Sequence, residues 1–185
     1  MSRIPAIDPA QATGKTAELF TLMKSKLGVV PNLMRTFGQS PAVLESYLGF
    51  KNSLSAGILS AKVREQIALA VAQTNACDYC LAAHSLIGKG LGLSPDEIAD
   101  ARRVEAREPK TDLLLKFAVA VVESRGHVSD ETLSVVRSAG ATDGEIVEVV
   151  AHVAFNILTN YTNHVAQPVV DFPTAAALLS RAQVA

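Results

Sequence analysis

Both cysteines of the chain lie in one short segment, residues 75–84, which reads NACDYCLAAH. On a helix, Cys77, Cys80 and His84 share one face, because residues three and four positions apart are neighbours. Asn75 is a favourable N-cap residue, which predicts that Cys77 lies in the first turn, where the helix dipole favours a thiolate. His84 can accept the proton of Cys80, and two cysteines one turn apart can close a disulfide. The segment therefore offers an attacking thiol, a base and a resolving thiol.

Other roles for the two cysteines are less favoured by the surrounding residues. The βαβ pattern that flanks the CxxC of a thioredoxin fold is missing, and Leu81 stands where haem attachment requires a histidine. A zinc site would need His84, which lies about 10 Å along the helix axis from Cys77, and no second CxxC completes it. Two buried, unreactive cysteines stay an open alternative, because free cysteine is often simply part of a core.

A carboxylate that orients His84 would complete the arrangement, and Glu65 is the candidate. Glu65 precedes Cys77 by twelve positions, which is about 18 Å on one continuous helix and too far for a relay. The relay therefore requires the chain to bend near residues 74–76. Without that bend, Glu65 is a solvated helix residue paired with a neighbouring basic side chain.

Length and charge narrow the class of protein. The 185 residues suit one domain, predicted over 1–185, and 17 basic against 18 acidic residues give a net charge of -1. No long run of like charge is present, so nucleic-acid and membrane partners are not expected. The first residues contain no apolar signal segment, which makes a reducing cytoplasm the expected location. In that compartment a CxxC pair is catalytic or metal-binding more often than structural.

The elements that must position these side chains are predicted to be helices throughout. Apolar residues recur at spacings of three and four, and residues 94–97 and 142–145 have the form of capping boxes. Ser60 and Ser129 are further N-cap candidates. No alternating strand pattern is present. The sequence therefore predicts an all-α fold, with helices near 9–27, 31–39, 41–56, 60–74, 76–91, 95–103, 110–125 and 142–163, and a short one near 129–139.

The weakly charged stretch 149–170 contains histidines and asparagines, which argues against a membrane span. Hydrophobic residues make up 49% of the chain, which fits either a well-filled core or apolar helix faces that are also buried between subunits. This stretch is the best candidate for a contact between subunits.

The spacing of Glu65, Cys77, Cys80 and His84 is E-x11-C-x2-C-x3-H. This pattern resembles the alkylhydroperoxidase D-like (AhpD-like) family within the carboxymuconolactone decarboxylase superfamily. The flanking sequence REQIALAVAQTNACDYCLAAHSLIGKGLGLS is also similar. The segments GVVPNLMRTFGQSP and NYTNHVAQPVVDFP resemble the peroxidase-related branch of that family.

The resemblance implies a fold, a site and an activity. The fold would be an AhpD-like helical domain that forms a symmetric homotrimer or homohexamer. Cys80 would be the thiol activated through His84 and Glu65, and Cys77 its disulfide partner nearer the solvent. The activity would be reduction of organic hydroperoxides, or of the disulfide of a partner peroxiredoxin. Electrons would come from an external dithiol such as a lipoyl group of a partner protein, and no metal, haem or flavin cofactor is implied.

Two features complicate the transfer of the family's mechanism to this chain. Some members have a histidine just before the second cysteine, whereas this chain has Tyr79, a poor base near neutral pH. The helix dipole favours Cys77 as the low-pKa thiol, while His84 favours Cys80. We expect Cys80 to be the activated thiol and Cys77 the more accessible sulfur. A lyase or isomerase of the decarboxylase type, using Glu65 and His84 without the thiols, and a non-catalytic redox sensor are the alternatives.

Overall fold

The computed structural model of the protein describes residues 2–178. Within that range the chain forms nine α-helices and no β-strand, so the all-α prediction is confirmed. In chain order the helices are α1 (Gly14–Leu27), α2 (Asn32–Phe37), α3 (Pro41–Ser55), α4 (Ala61–Thr74), α5 (Asp78–Gly90), α6 (Pro95–Arg102), α7 (Pro109–Ser124), α8 (Asp130–Ser138) and α9 (Asp143–Ala166). The first helix starts later than expected, because its first turn begins only after Thr13 in extended conformation.

Side-chain caps begin the helices where the sequence predicts them. Four hydroxyl groups accept a backbone N–H of the first turn, those of Ser60, Ser94, Ser129 and Thr142. Glu97 and Glu145 return a bond to the N-cap backbone, which completes both predicted capping boxes. These local bonds determine where the chain enters α4, α6, α8 and α9.

Helix α4 lies at the centre of the molecule and contacts α5, α6, α7 and α9. Its residues 66–72 are all buried. One apolar cluster joins α4 to α7, α8 and α9, and a second joins α1, α2 and α3 to the end of α4 and the start of α5. Both cysteines belong to the second cluster. Burial of these apolar faces is the main force that holds the site between the two clusters.

The chain breaks between α4 and α5, as the relay from Glu65 requires. Ala76 has a φ of 51°, in the left-handed region that residues with a Cβ rarely adopt. The N–H of Cys77 then bonds to the carbonyl oxygen of Ala72 at 2.9 Å, which turns the chain back onto α4. The prediction of a bend at residues 74–76 is confirmed.

The N-cap prediction for Asn75 is wrong. Asn75 is the C-cap of α4, and Cys77 itself is the N-cap of α5, where its Sγ accepts the N–H of Cys80 at 3.4 Å. The reason is the left-handed residue Ala76, which places the start of α5 two residues later than a cap at Asn75 would. The Asn75 side chain instead donates to Oδ1 of Asn160 at 2.9 Å.

Helix α9 has one polar face that is buried and one apolar face that is exposed. The buried polar residues are His152, Asn156, Thr159, Asn160 and Asn163. The exposed large apolar residues are Val147, Val150, Leu158, Tyr161 and Val165. No helix among residues 2–178 combines the length and the hydropathy that a bilayer crossing requires.

Candidate active site

The two cysteines lie side by side at the start of α5. Their Sγ atoms are 2.7 Å apart and hydrogen bonded, and both are free thiols. The residues are buried, with 1% of Cys77 and 3% of Cys80 exposed. Because Cys77 is the N-cap and Cys80 lies in the first turn, the positive end of the helix acts on both sulfurs.

The environment of each sulfur decides which of the two thiols ionises more readily. Donation from the S–H of Cys80 lowers the pKa of Cys77 to about 7, against the opposing effect of burial. The Cys80 N–H, the amide of Asn163 and the charge of His84 act in the same direction. The same thiol bond, with burial and the Cys77 charge, raises the pKa of Cys80. These shifts favour the thiolate at Cys77 over the thiolate at Cys80, mainly because Cys80 donates to the Cys77 sulfur.

Two buried amides of α9 point at the sulfurs. Nδ2 of Asn160 lies 3.0 Å from Sγ of Cys80, and Nδ2 of Asn163 lies 3.2 Å from Sγ of Cys80 and 3.7 Å from that of Cys77. Asn75 donates to the other end of the Asn160 amide, which orients its NH₂ group toward Cys80. Hydrogen-bond donors of this kind stabilise a negative charge on sulfur. The sequence reasoning did not identify either asparagine as a site residue.

His84 and Glu65 form the expected pair. Nδ1 of His84 lies 2.7 Å from Oε2 of Glu65, with both side chains mostly buried. This bond fixes the orientation of the ring and leaves Nε2 as the nitrogen that can exchange a proton. The structure therefore brings together all four predicted site residues, Cys77, Cys80, His84 and Glu65, although their catalytic roles stay a prediction.

A cavity of about 910 Å³ opens beside the cysteines. Cys80, His84, Tyr47 and Tyr79 are on its wall, whereas Cys77 is not. In the isolated chain the cavity therefore reaches Cys80, whereas the sequence predicts that Cys77 is the more accessible sulfur. As the N-cap, Cys77 lies behind the first turn of α5, and it is Cys80 that faces the cavity.

The hydroxyl of Tyr79 joins two parts of the chain by hydrogen bonds and is not placed to act as a base. Its hydroxyl donates to Oδ1 of Asp171 at 2.7 Å and accepts the N–H of Leu33 at 3.0 Å. Burial is the main cause that raises the pKa of Tyr79. Oδ2 of Asp171 also accepts the N–H of Asn32, so Tyr79 ties the chain after α9 to the start of α2. Phe172 packs edge-on against the Tyr79 ring and lines the cavity.

The remaining histidines do not line the cavity. His152 is buried in α9, where burial lowers its pKa and its Nε2 has no hydrogen-bond partner among the described residues. His127 is exposed in the loop before α8, and His164 is exposed near the end of α9. Within residues 2–178 no group of three or more His, Cys, Asp or Glu side chains is placed to hold a metal ion.

Comparison with known proteins agrees with this fold and motif. The model of the carboxymuconolactone decarboxylase family matches residues 41–107. A solved structure titled alkylhydroperoxidase AhpD core, an uncharacterized peroxidase-related protein from Ralstonia eutropha JMP134, is 24% identical with a TM-score of 0.82, covering 92% of each chain. A peroxidase-related protein from Silicibacter sp. TM1040 is also 24% identical, with a TM-score of 0.81, covering 95% of this chain and 94% of that one.

A third similar structure has a different named activity. The debrominase Bmp8, in complex with 2,3,4-tribromopyrrole, is 18% identical with a TM-score of 0.77 and 91% of each chain covered. No curated protein matches the chain. The family model therefore agrees with the resemblance over residues 41–107, and the fold of the chain is AhpD-like. The single-domain extent over 1–185 stays a prediction.

Proposed function

We propose that the protein is a thiol-dependent hydroperoxide reductase that cycles between the Cys77–Cys80 dithiol and its disulfide. The observation that carries the proposal is the hydrogen-bonded sulfur pair, 2.7 Å apart, with Cys80 on the wall of the cavity. The His84–Glu65 pair on α5 and α4 supplies a base beside that wall. The cycle needs no cofactor in the protein, only an external dithiol.

The first step is attack of Cys80 on the hydroperoxide. The proton of Cys80 passes to His84, which Glu65 orients, and the Cys80 thiolate attacks the terminal oxygen of the substrate. The O–O bond breaks, Cys80 becomes a sulfenic acid, and the alkoxide leaves as an alcohol after taking a proton through His84. Asn160 and Asn163 donate to the sulfur that carries the negative charge.

The second step closes the disulfide. Cys77 attacks the sulfenic sulfur of Cys80, the S–O bond breaks, and hydroxide leaves as water after protonation. One hydroperoxide has then been reduced to an alcohol and water, and the two thiols have been oxidised to one disulfide. An external dithiol of the lipoyl type restores both thiols by two exchange reactions. In a reducing cytoplasm a peroxiredoxin disulfide could be reduced by the same pair.

The test is turnover of tert-butyl hydroperoxide with dihydrolipoamide as the reductant. Wild type should consume both in equal amounts. Cys80→Ser and Cys77→Ser should each lose turnover, since each removes one end of the disulfide. The exposed Ser53→Ala variant, at a position of α3 that does not line the cavity, should keep full activity. Full turnover by Cys80→Ser would reject the proposal.

The decarboxylase-type alternative uses the Glu65–His84 pair alone. A lyase or isomerase of this kind would transfer protons through His84 and would not depend on either thiol. Activity that survives in the double variant Cys77→Ser, Cys80→Ser but is lost in His84→Gln would favour this alternative. A redox sensor without turnover would show the disulfide and a change in association, but no consumption of hydroperoxide.

Thiol-driven dehalogenation is a second candidate, favoured by the aromatic residues on the cavity wall, Tyr47, Tyr79 and Phe172. These rings could stack on a halogenated aromatic substrate. In such a reaction the two thiols become a disulfide while a carbon–halogen bond is replaced by carbon–hydrogen, with release of hydrogen halide. Release of bromide from a bromopyrrole with dihydrolipoamide, lost in Cys80→Ser, would support this reaction.

The exposed apolar face of α9 is proposed to join copies of the chain into a homotrimer or homohexamer. Val147, Val150, Leu158, Tyr161 and Val165 recur at helical spacing and are all exposed in the isolated chain. Leu158→Asp should lower the molar mass measured by light scattering to that of smaller species. Val135→Asp, at an exposed valine of α8, should leave the mass unchanged. Equal masses for the two variants would contradict this interface.

A further inference from the structure

The cavity beside Cys80 is mainly apolar and has helical walls. Leu22 and Met23 come from α1, Leu48 from α3 and Leu86 from α5. A space of about 910 Å³ is far larger than a small hydroperoxide needs. A small ligand would leave most of these side chains in contact with water, whereas a long hydrocarbon chain would cover them.

The apolar wall continues well beyond the reacting sulfur. Helix α5 runs from Cys80 to the cavity residue Ile87, which is about 10 Å along the axis. Ala83 and Leu86 fill the positions between them on the same wall. The cavity therefore has the extent and the surface for a chain of many methylene groups, with the carbon that bears the reacting group next to Cys80.

Charge is distributed unevenly along this cavity. Lys26 of α1 and Lys51 of α3 are both exposed and both line it, and neither forms an ion pair with any described residue. Glu45 also lines the cavity, but its carboxylate is bound by Lys15 at 3.0 Å. The wall of the cavity therefore has two exposed lysines, Lys26 and Lys51, without an ion-pair partner among the described residues.

We propose that the ligand is a long-chain fatty acid that bears a hydroperoxide group along its chain. Its carboxylate would pair with Lys26 and Lys51, its hydrocarbon would lie on the apolar wall, and the hydroperoxide would reach Cys80. This inference rests on the proposed function for the hydroperoxide group, and the reaction has the same balance, giving a hydroxy fatty acid, water and the Cys77–Cys80 disulfide.

Binding can be tested without chemistry by titrating wild type with oleate, which has no hydroperoxide, in a calorimeter below its micelle concentration. We expect saturable binding, weaker for methyl oleate and weaker at high salt. The double variant Lys26→Gln, Lys51→Gln should weaken oleate binding about five- to tenfold, as expected for partly exposed ion pairs. Lys24→Gln, on the same helix but away from the cavity, should leave affinity unchanged.

The outcomes separate this inference from the proposed function. Equal binding of oleate and methyl oleate, or equal affinity of the double lysine variant and Lys24→Gln, would overturn the ligand assignment. Leu86→Asp, which places a charge on the apolar wall at an exposed position, should abolish binding without unfolding the protein. Oleate binding with no reduction of a fatty-acid hydroperoxide would support the ligand class and reject the redox function. Reduction of tert-butyl hydroperoxide with no oleate binding would support the redox function and reject the fatty-acid ligand.

Discussion

Nδ1 of His84 lies 2.7 Å from Oε2 of Glu65, although 19 positions separate the two residues. The contact exists because the chain reverses at Ala76 and lays α5 against α4. A carboxylate on Nδ1 holds the ring in one orientation and stabilises it whenever it takes up a proton. Glu65 is therefore a positioning residue for His84 in the proposed reaction.

Glu65→Gln should lower kcat for hydroperoxide reduction about 10- to 100-fold, because the neutral amide no longer stabilises a protonated His84. KM and Tm should change little, since Gln keeps the size and a hydrogen bond. Glu65→Asp should recover part of the rate. The measurement is steady-state kinetics with Glu123→Gln, an exposed residue of α7, as the control. A loss of Tm in proportion to the loss of kcat would instead indicate a structural role.

Removing the thiol of Cys80 should raise the pKa of Cys77 above the value of about 7, because the S–H of Cys80 is the main cause that lowers it. Titration of the ultraviolet absorbance of the thiolate measures this directly. Cys80→Ala has no donor and should give a large rise, whereas Cys80→Ser keeps a hydroxyl donor and should give a smaller one. If the pKa of Cys77 is the same in Cys80→Ala and in wild type, the amide of Asn163 and helix α5, rather than Cys80, stabilise the Cys77 thiolate.

Asn160→Ala should slow the reaction of the sulfur pair about tenfold or more, since a hydrogen bond to a charged group contributes roughly 1.5–3 kcal/mol. Ionisation of Cys80, the attacking sulfur, should shift to higher pH, because one donor to Cys80 is gone. Asn75→Ala, which only frees the far end of the Asn160 amide, should have a smaller effect in the same direction. The measurement is the rate of thiol alkylation against pH, and an unchanged profile in Asn160→Ala would contradict the role of the amide.

His152 should make the protein less stable in acid. Burial lowers its pKa below 6.5 in the folded state, so the folded protein keeps this ring neutral while the unfolded chain takes up a proton. Stability is therefore complete above 6.5 and is lost as the pH falls from 6.5 toward the folded pKa. Denaturant unfolding of His152→Gln should show a weaker dependence on pH in this range than wild type. His127→Gln, at the exposed loop histidine, should behave like wild type.

Much of the fold follows from local signals in the sequence. The helix starts at Ser94 and Thr142 depend on side chains three residues apart, and the apolar spacing of each helix reports which face is buried. The contact between Glu65 and His84 could be predicted from the sequence for a different reason. Its chemistry requires a bend, and the polar residues Thr74 and Asn75 stand where that bend has to be.

Other features depend on packing between distant parts of the chain. A positive φ at Ala76 is not favoured by an alanine, so the sequence alone does not indicate that Cys77 becomes the N-cap. Asn160 and Asn163 reach the Cys80 sulfur across 80 and 83 positions. The one feature of the sequence that points to Asn160 and Asn163 is that asparagines recur on one face of an otherwise apolar helix. Buried amides of that kind must find hydrogen-bond partners.

The most direct test of the central claim is to identify the sulfur that the hydroperoxide oxidises. Cys77→Ser and Cys80→Ser would each be treated with one equivalent of hydroperoxide, trapped with dimedone and analysed by peptide mass spectrometry. The account predicts a dimedone adduct on Cys80 in Cys77→Ser, little adduct on Cys77 in Cys80→Ser, and a Cys77–Cys80 disulfide in wild type. An adduct on Cys77 alone, or wild type that stays a dithiol, would contradict it.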